Sequence, residues 1–321
     1  MEARIGELAA LGTALCWTVT ALSFESAGKR IGSLTVNITR LVMAAALFAV
    51  FGLLTRGVAV PVDASREAWL WLSLSGLVGF VIGDLFLFQA FVDIGARVSM
   101  LIYASVPPLT ALLGRFVLDE RLTTRGILGM ALTVAGIAWV VLRRPPEPEQ
   151  PDHHAVPVAP FADPEGEVSE FAASIRRTRV RGALFAFGGA LGQAGGLVLG
   201  RLGAGTTLNP FAATQIRVFA GIIGFSLMFT VTRKWKEVAK AVSDGGAMAR
   251  VSTGALFGPF LGVSLGLFAA QNTSTGIAST IMALVPVLII IPSVLLFKEK
   301  VTLREVFGAI VAVTGVGILF W

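Results

Sequence analysis

Apolar residues run along this chain in long unbroken blocks separated by short polar punctuation. Runs such as 41–54 and 283–297 show no alternation of period two, which argues against transmembrane strands. A helix crossing the hydrocarbon core needs about 20 apolar residues, and the blocks match that length. Ten are predicted, near 5–24, 33–54, 68–92, 98–118, 124–142, 182–202, 209–232, 248–270, 276–297 and 303–321. The expected fold is all-α and integral to the membrane, with ten transmembrane helices. One polar stretch, 144–180, interrupts the series midway.

Composition closes off the soluble alternatives. Of 321 residues, 55% are hydrophobic and 14% charged, against roughly 25% charged in soluble domains. Mean hydropathy is +0.79. A soluble core of this size has too few charges to cover so much apolar surface. Glycine is aperiodic and Cys16 is the single cysteine, so collagen-like and disulfide-framework readings fail. Residues 1–7 lack a basic stretch leading to a small-residue cleavage site, and the first span is expected to be retained.

The polar stretch holds seven of the fourteen prolines and seven of the twenty acids. That composition predicts a solvated connector, with 165–179 able to form a short surface helix. His153 and His154 lie in it with no further His or Cys nearby, so a solvated loop is favoured over a metal site. The expected division is 1–143, a first five-helix repeat; 144–180, the linker; and 181–321, a second five-helix repeat.

The two halves resemble each other. Moving 97–142 onto 276–321 without a gap pairs Pro107 with Pro286, Glu120 with Glu299, Gly129 with Gly308 and Gly136 with Gly315. The same offset pairs Gly79 with Gly258 and Gly83 with Gly262, and a slightly shorter one pairs Gly12 with Gly189 and Arg40 with Arg217. Matching Pro, Glu and Gly at fixed spacing is far more specific than shared hydrophobicity. Five spans per half means that the second repeat enters the membrane from the opposite side. Inverted repeats are a common device of alternating-access carriers.

Ten spans as five plus five, the Pro107/Pro286 pair, and the segments Leu118-Asp119-Glu120-Arg121-Leu122-Thr123 and Phe297-Lys298-Glu299-Lys300-Val301-Thr302 resemble the EamA family of the drug/metabolite transporter superfamily. The resemblance covers both halves and omits the linker. It implies a carrier in a cell (inner) membrane, exporting amino acids, other metabolites or drugs. It implies cytoplasmic termini as well. The charge rule gives the reverse: with Arg40, Arg115 and Arg217 set aside as lying within spans, six Lys and Arg fall on the side of the termini and seventeen on the side of the linker.

Several residues are candidates for the transport site. Asp84 is the only charge in 68–92, and a carboxylate at membrane depth costs several kcal/mol unless it is paired, hydrated or protonated. It reads as a proton or cationic-substrate site, or as a structural partner for an arginine. Arg40 and Arg217 lie about one-third of the way into spans two and seven, where long side chains commonly snorkel to the headgroups. Structural pairing is the other structural reading, and anion binding, or pairing with Asp84 or Glu120, is the functional one. Pro107 and Pro286 interrupt helices at matching positions, and such paired breaks point to a central site. Tyr103 lies one turn before Pro107; Trp17 and Gln193 belong to the repeat-related spans one and six. All three are candidates to line a cavity.

Glycines at 188, 192, 196 and 200, and at 254, 258, 262 and 266, recur every fourth residue and predict close helix contacts. Glu120 and Glu299, flanked by basic residues, predict ion-pair clusters at helix ends.

The expected function is secondary transport by alternating access of a small organic metabolite or drug, with export favoured and proton coupling one mode. An integral-membrane transferase acting on lipid is the alternative, but it needs clustered Asp, Glu or His for metal and phosphate chemistry. An ATP-driven pump would need a phosphate-binding loop of the Gly-x-x-x-x-Gly-Lys type, which the sequence lacks. Expected partners are the cargo and the bilayer, with no cofactor, metal or nucleic acid, and the chain is expected to act as a monomer or homodimer.

Overall fold

A computed structural model of the protein describes residues 4–142, 164–288, 292 and 303–319. The first half contains α1 (Ile5–Ile31), α2 (Ser33–Arg56), α3 (Arg66–Gly76), a π-helical segment π1 (Leu77–Gly83), α4 (Asp84–Tyr103), α5 (Val106–Val117) and α6 (Thr124–Leu142). The second contains α7 (Pro164–Ala204), α8 (Pro210–Thr232), α9 (Trp235–Val242), α10 (Gly245–Ala255), π2 (Leu256–Gly262), α11 (Val263–Asn272), α12 (Thr275–Met282), α13 (Val285–Leu288) and α14 (Leu303–Leu319).

Among the described residues every element is helical, and six stretches are long and apolar enough to cross a membrane. Val106–Val117, Thr124–Trp139 and Val306–Leu319 are shorter apolar helices. The predicted ninth span runs partly outside the described residues, as do His153, His154 and Glu299.

Helix ends follow local chemistry. The Ser65 hydroxyl accepts from the Ala68 N–H at 3.1 Å to start α3, and the Asn209 carboxamide oxygen, ahead of Pro210, accepts from Phe211 at 2.9 Å to start α8. Gly32, with φ of +79°, is the single residue between α1 and α2, a conformation that side-chain-bearing residues avoid. Threonines inside the spans, such as Thr18 and Thr110, return their hydroxyls to the carbonyl four residues earlier, which satisfies those donors within the helix.

Two segments depart from the sequence expectation. Residues 93–97, expected as a loop between spans three and four, are helical. The second departure is α7, which begins at Pro164, so the surface helix expected over 165–179 continues into the sixth span as one helix.

The packing is two-fold. α1 packs on α10–π2–α11 and α7 packs on α3–π1–α4, while α2 meets α8, α5 meets α12 and α6 meets α14. The α1 and α7 contacts map onto each other, and the α2–α8 and α6–α14 contacts onto themselves, when the halves are exchanged. The halves are also inverted. Thr273 donates to Glu7 at the start of α1, and its neighbour Gln271 donates to the Leu208 carbonyl just past the end of α7. The start of one helix and the end of its repeat partner thus share a side.

Candidate functional site

Glycine decides how closely the two halves approach. A Cβ added at Gly192 would stand 2.5 Å from the Gly83 Cα, and one at Gly196 would stand 2.8 Å from the Gly79 Cα. In the other half Gly254, Gly258, Gly262 and Gly266 face Phe24, Thr20, Trp17 and Thr13 of α1 in turn. Both ridges predicted from the four-residue spacing are interhelical contacts.

These ridges flank the π-helical segments. π1 ends at Gly83 and π2 at Gly262, the same register of the repeat, so Asp84 and Val263 occupy equivalent positions. π-Helical turns are rare and concentrate at functional sites. Hydrophobic periodicity gives no warning of them, because seven residues at a wider pitch still read as an apolar helix.

Asp84 accepts a hydrogen bond and ion pair from the Arg40 guanidinium, which reaches it from α2. The Arg40 Cζ lies 5.4 Å from the Phe24 ring centroid and 5.8 Å from that of Phe88. The aromatic faces and the carboxylate together hold the cation away from lipid. Arg217 lies across the pseudo-axis, its Cζ 5.1 Å from the centroid of Phe80. Its backbone abuts Gly76, where a Cβ would collide with the Arg217 carbonyl, and its guanidinium passes between Gly79 and Gly200. The charge of Asp84 acts on Arg217 and on Tyr103 as well as on Arg40.

Arg40 and Arg217 are 8% and 5% exposed. The snorkelling expectation is therefore wrong for both: they turn into the protein, where a carboxylate and aromatic rings wait, and away from the headgroups.

Four candidates, Arg40, Asp84, Tyr103 and Arg217, form one polar centre, in which the two arginines are buried and Asp84 and Tyr103 are partly buried. The Trp17 indole lies against Gly262 and the Gln193 backbone against Gly83, the residues before Val263 and Asp84 in the two halves. Pro107 is buried as the second residue of α5, directly after a helix break at Ala104 and Ser105. The backbone of the other half breaks in the same register, at Ala283 and Leu284, ahead of Val285 and Pro286. The prolines thus start the second half-helix at each break, where their missing N–H costs nothing.

Glu120 differs from its expected ion-pair role. Its carboxylate accepts from the Thr275 N–H and hydroxyl, each at 2.8 Å, and so ties the loop after α5 to the start of α12. Sequence reading places Phe80 and Phe88 on the Asp84 face at i±4 spacing, but it missed Phe24, which looks like an ordinary core residue, and the polar pair Asn37 and Thr214. That pair had a signal: both lie three residues before the repeat-related arginines. Both are buried, with the Asn37 Oδ1 and Thr214 Oγ1 lacking a hydrogen-bond partner among the described residues.

A polytopic helical protein with inverted halves, discontinuous helices and a buried charged centre has the architecture of a membrane carrier. The chain belongs to the EamA-like transporter family, which matches residues 4–142 and 180–321, and it is accordingly a multi-pass membrane transporter of the drug/metabolite transporter superfamily. A solved structure described only as "Crystal structure of protein" is 17% identical, with 98% of this chain and 96% of the other covered at a TM-score of 0.69. That likeness concerns the fold alone. No curated protein matches the chain.

Proposed function

We propose that this protein exports a small organic metabolite or drug by alternating access, and that Asp84 couples the cycle to the proton gradient. The observation that supports this reading is the Arg40–Asp84 pair, partly buried at the end of π1 with Tyr103 near it. A carboxylate there can be charged against Arg40 in one state and protonated in the other. The adjoining π-helical turn lets the helix change register as it does so. Trp17, Gln193 and the helix breaks at Pro107 and Pro286 surround the same region and supply the cavity wall.

The test uses the purified chain in proteoliposomes, screened for proton-gradient-driven flux of amino acids, nucleosides, sugar phosphates and cationic dyes. Asp84→Asn keeps size and hydrogen bonding while removing the charge. Gradient-driven flux should vanish in it, while cargo exchange and binding persist and lose their pH dependence. Full gradient-driven transport by the variant would reduce Asp84 to a structural residue.

A further inference from the structure

The buried centre contains two arginines and one carboxylate. Arg40 has Asp84; Arg217, the equivalent residue of the second repeat, has no hydrogen bond or ion pair among the described residues. The Nε of each arginine lacks an acceptor, so the difference between them is the carboxylate. Where the first repeat supplies Asp84, the second supplies Val263. The duplicated geometry therefore presents a guanidinium in a carboxylate-binding setting with the carboxylate deleted.

Burying an unpaired guanidinium in low dielectric is strongly unfavourable, and the net charge of Arg40, Asp84 and Arg217 leaves one positive charge over. Helices α8 and α11 carry unpartnered donors. Thr214 lies on the same face of α8 one turn from Arg217, and Ser264 directly follows Val263 on α11, which packs against α8. Both are wholly buried, and neither hydroxyl has a hydrogen-bond partner among the described residues. Gly79 and Gly200 leave the guanidinium clear of side chains on two flanks, each added Cβ lying 3.6 and 3.5 Å from it.

We infer that Arg217, with Thr214 and Ser264, binds an anionic group of the cargo, a carboxylate or a phosphate, which takes the place in the second repeat that Asp84 takes in the first. The inference rests on the transporter reading and adds the charge class of the substrate. A guanidinium suits either group, since its paired N–H donors match two oxygens of a planar carboxylate or of a phosphate.

The experiment measures thermal unfolding of the detergent-purified full chain with benzoate, phenyl phosphate, or the neutral benzamide. One of the two anions should stabilise the wild type and benzamide should not; which anion does so distinguishes carboxylate from phosphate cargo. Arg217→Gln should weaken that response roughly tenfold or more. Val263→Asp guards against a folding defect, because it retains Arg217 and supplies the missing partner from within. It should unfold at a higher temperature than the wild type and lose the anion response. Equal responses to benzoate, phenyl phosphate and benzamide would overturn the inference, as would an undiminished anion response in Val263→Asp. Gradient-driven flux without an anion response would overturn this inference alone, whereas an anion response without flux would remove the transport reading and leave the anion site standing.

Discussion

Arg40 and Asp84 sit where single substitutions and paired ones diverge. Removing one member of a buried ion pair leaves the other charge uncompensated, at a cost of about 3–5 kcal/mol. Arg40→Met and Asp84→Leu should each lower stability by that order, and the double variant should recover most of the loss. Unfolding in mixed detergent micelles measures all three. Additive losses would show that the two side chains are energetically independent. This residue-level design was only partly legible in the sequence. An isolated acid in an apolar run announces Asp84, and the repeat announces the arginines, but nothing in the linear order says that α2 delivers Arg40 to Asp84. Nor does the sequence mark the snorkelling expectation as wrong, since depth along a helix does not reveal which face meets lipid.

At the scale of helices, glycine spacing was the most readable feature because its cause is local. Every fourth residue returns to one face, and a face without side chains exists to be approached. The contacts of Gly192 with Gly83 and of Gly258 with Thr20 are tight enough that bulk must displace a helix. Gly192→Leu and Gly258→Leu should each cost about 1–3 kcal/mol or more and reduce yield or transport. Wild-type yield and activity in both would show that the ridges tolerate separation. Helix breaks were legible only as prolines. Their position, two residues before Pro107, depends on how α4 and α5 each pack against α7, which is a tertiary matter. The helical path through 93–97 was missed for the same reason.

For the whole molecule, the side that carries the linker is held by two ion pairs. Arg30 grips Asp244 across α1 and α10, at 2.9 and 3.0 Å, and Arg181 grips Asp93 across α7 and α4, both bonds at 2.8 Å. The opposite side is closed by Thr273 on Glu7 and Thr275 on Glu120. The Asp244 carboxyl is held below its ordinary range by the Ala247 N–H and then by Arg30, and Asp93 is held below it chiefly by Arg181. Carboxyls lowered in this way stabilise the folded form above their ordinary pKa, and the contribution disappears as pH falls through the lowered value. Unfolding followed from about pH 6 to about pH 3 should therefore separate wild type from Asp93→Asn/Asp244→Asn at the upper end and bring the two together at the lower. Curves that coincide throughout would mean that neither pair contributes.

Orientation belongs to this scale as well. The excess of Lys and Arg beside the linker favours a cytoplasmic linker. A periplasm-active reporter fused after Trp321 should then be active, and one near Val158 silent. The opposite pattern would restore the orientation expected from the family resemblance.

The two π-helical segments also carry a history. A π turn is an α-helix that holds one residue too many, and it survives where function rewards its strain. π1 and π2 span 77–83 and 256–262, the same register in each half. One insertion in an ancestral five-helix chain, copied when that chain doubled, accounts for both, whereas two separate insertions would have had to land on the same residue. Asp84 and Val263, immediately downstream, no longer match. The mechanical joint is therefore older than the doubling and the division of chemical labour younger: the halves inherited one hinge and then diverged over which of them carries the acid.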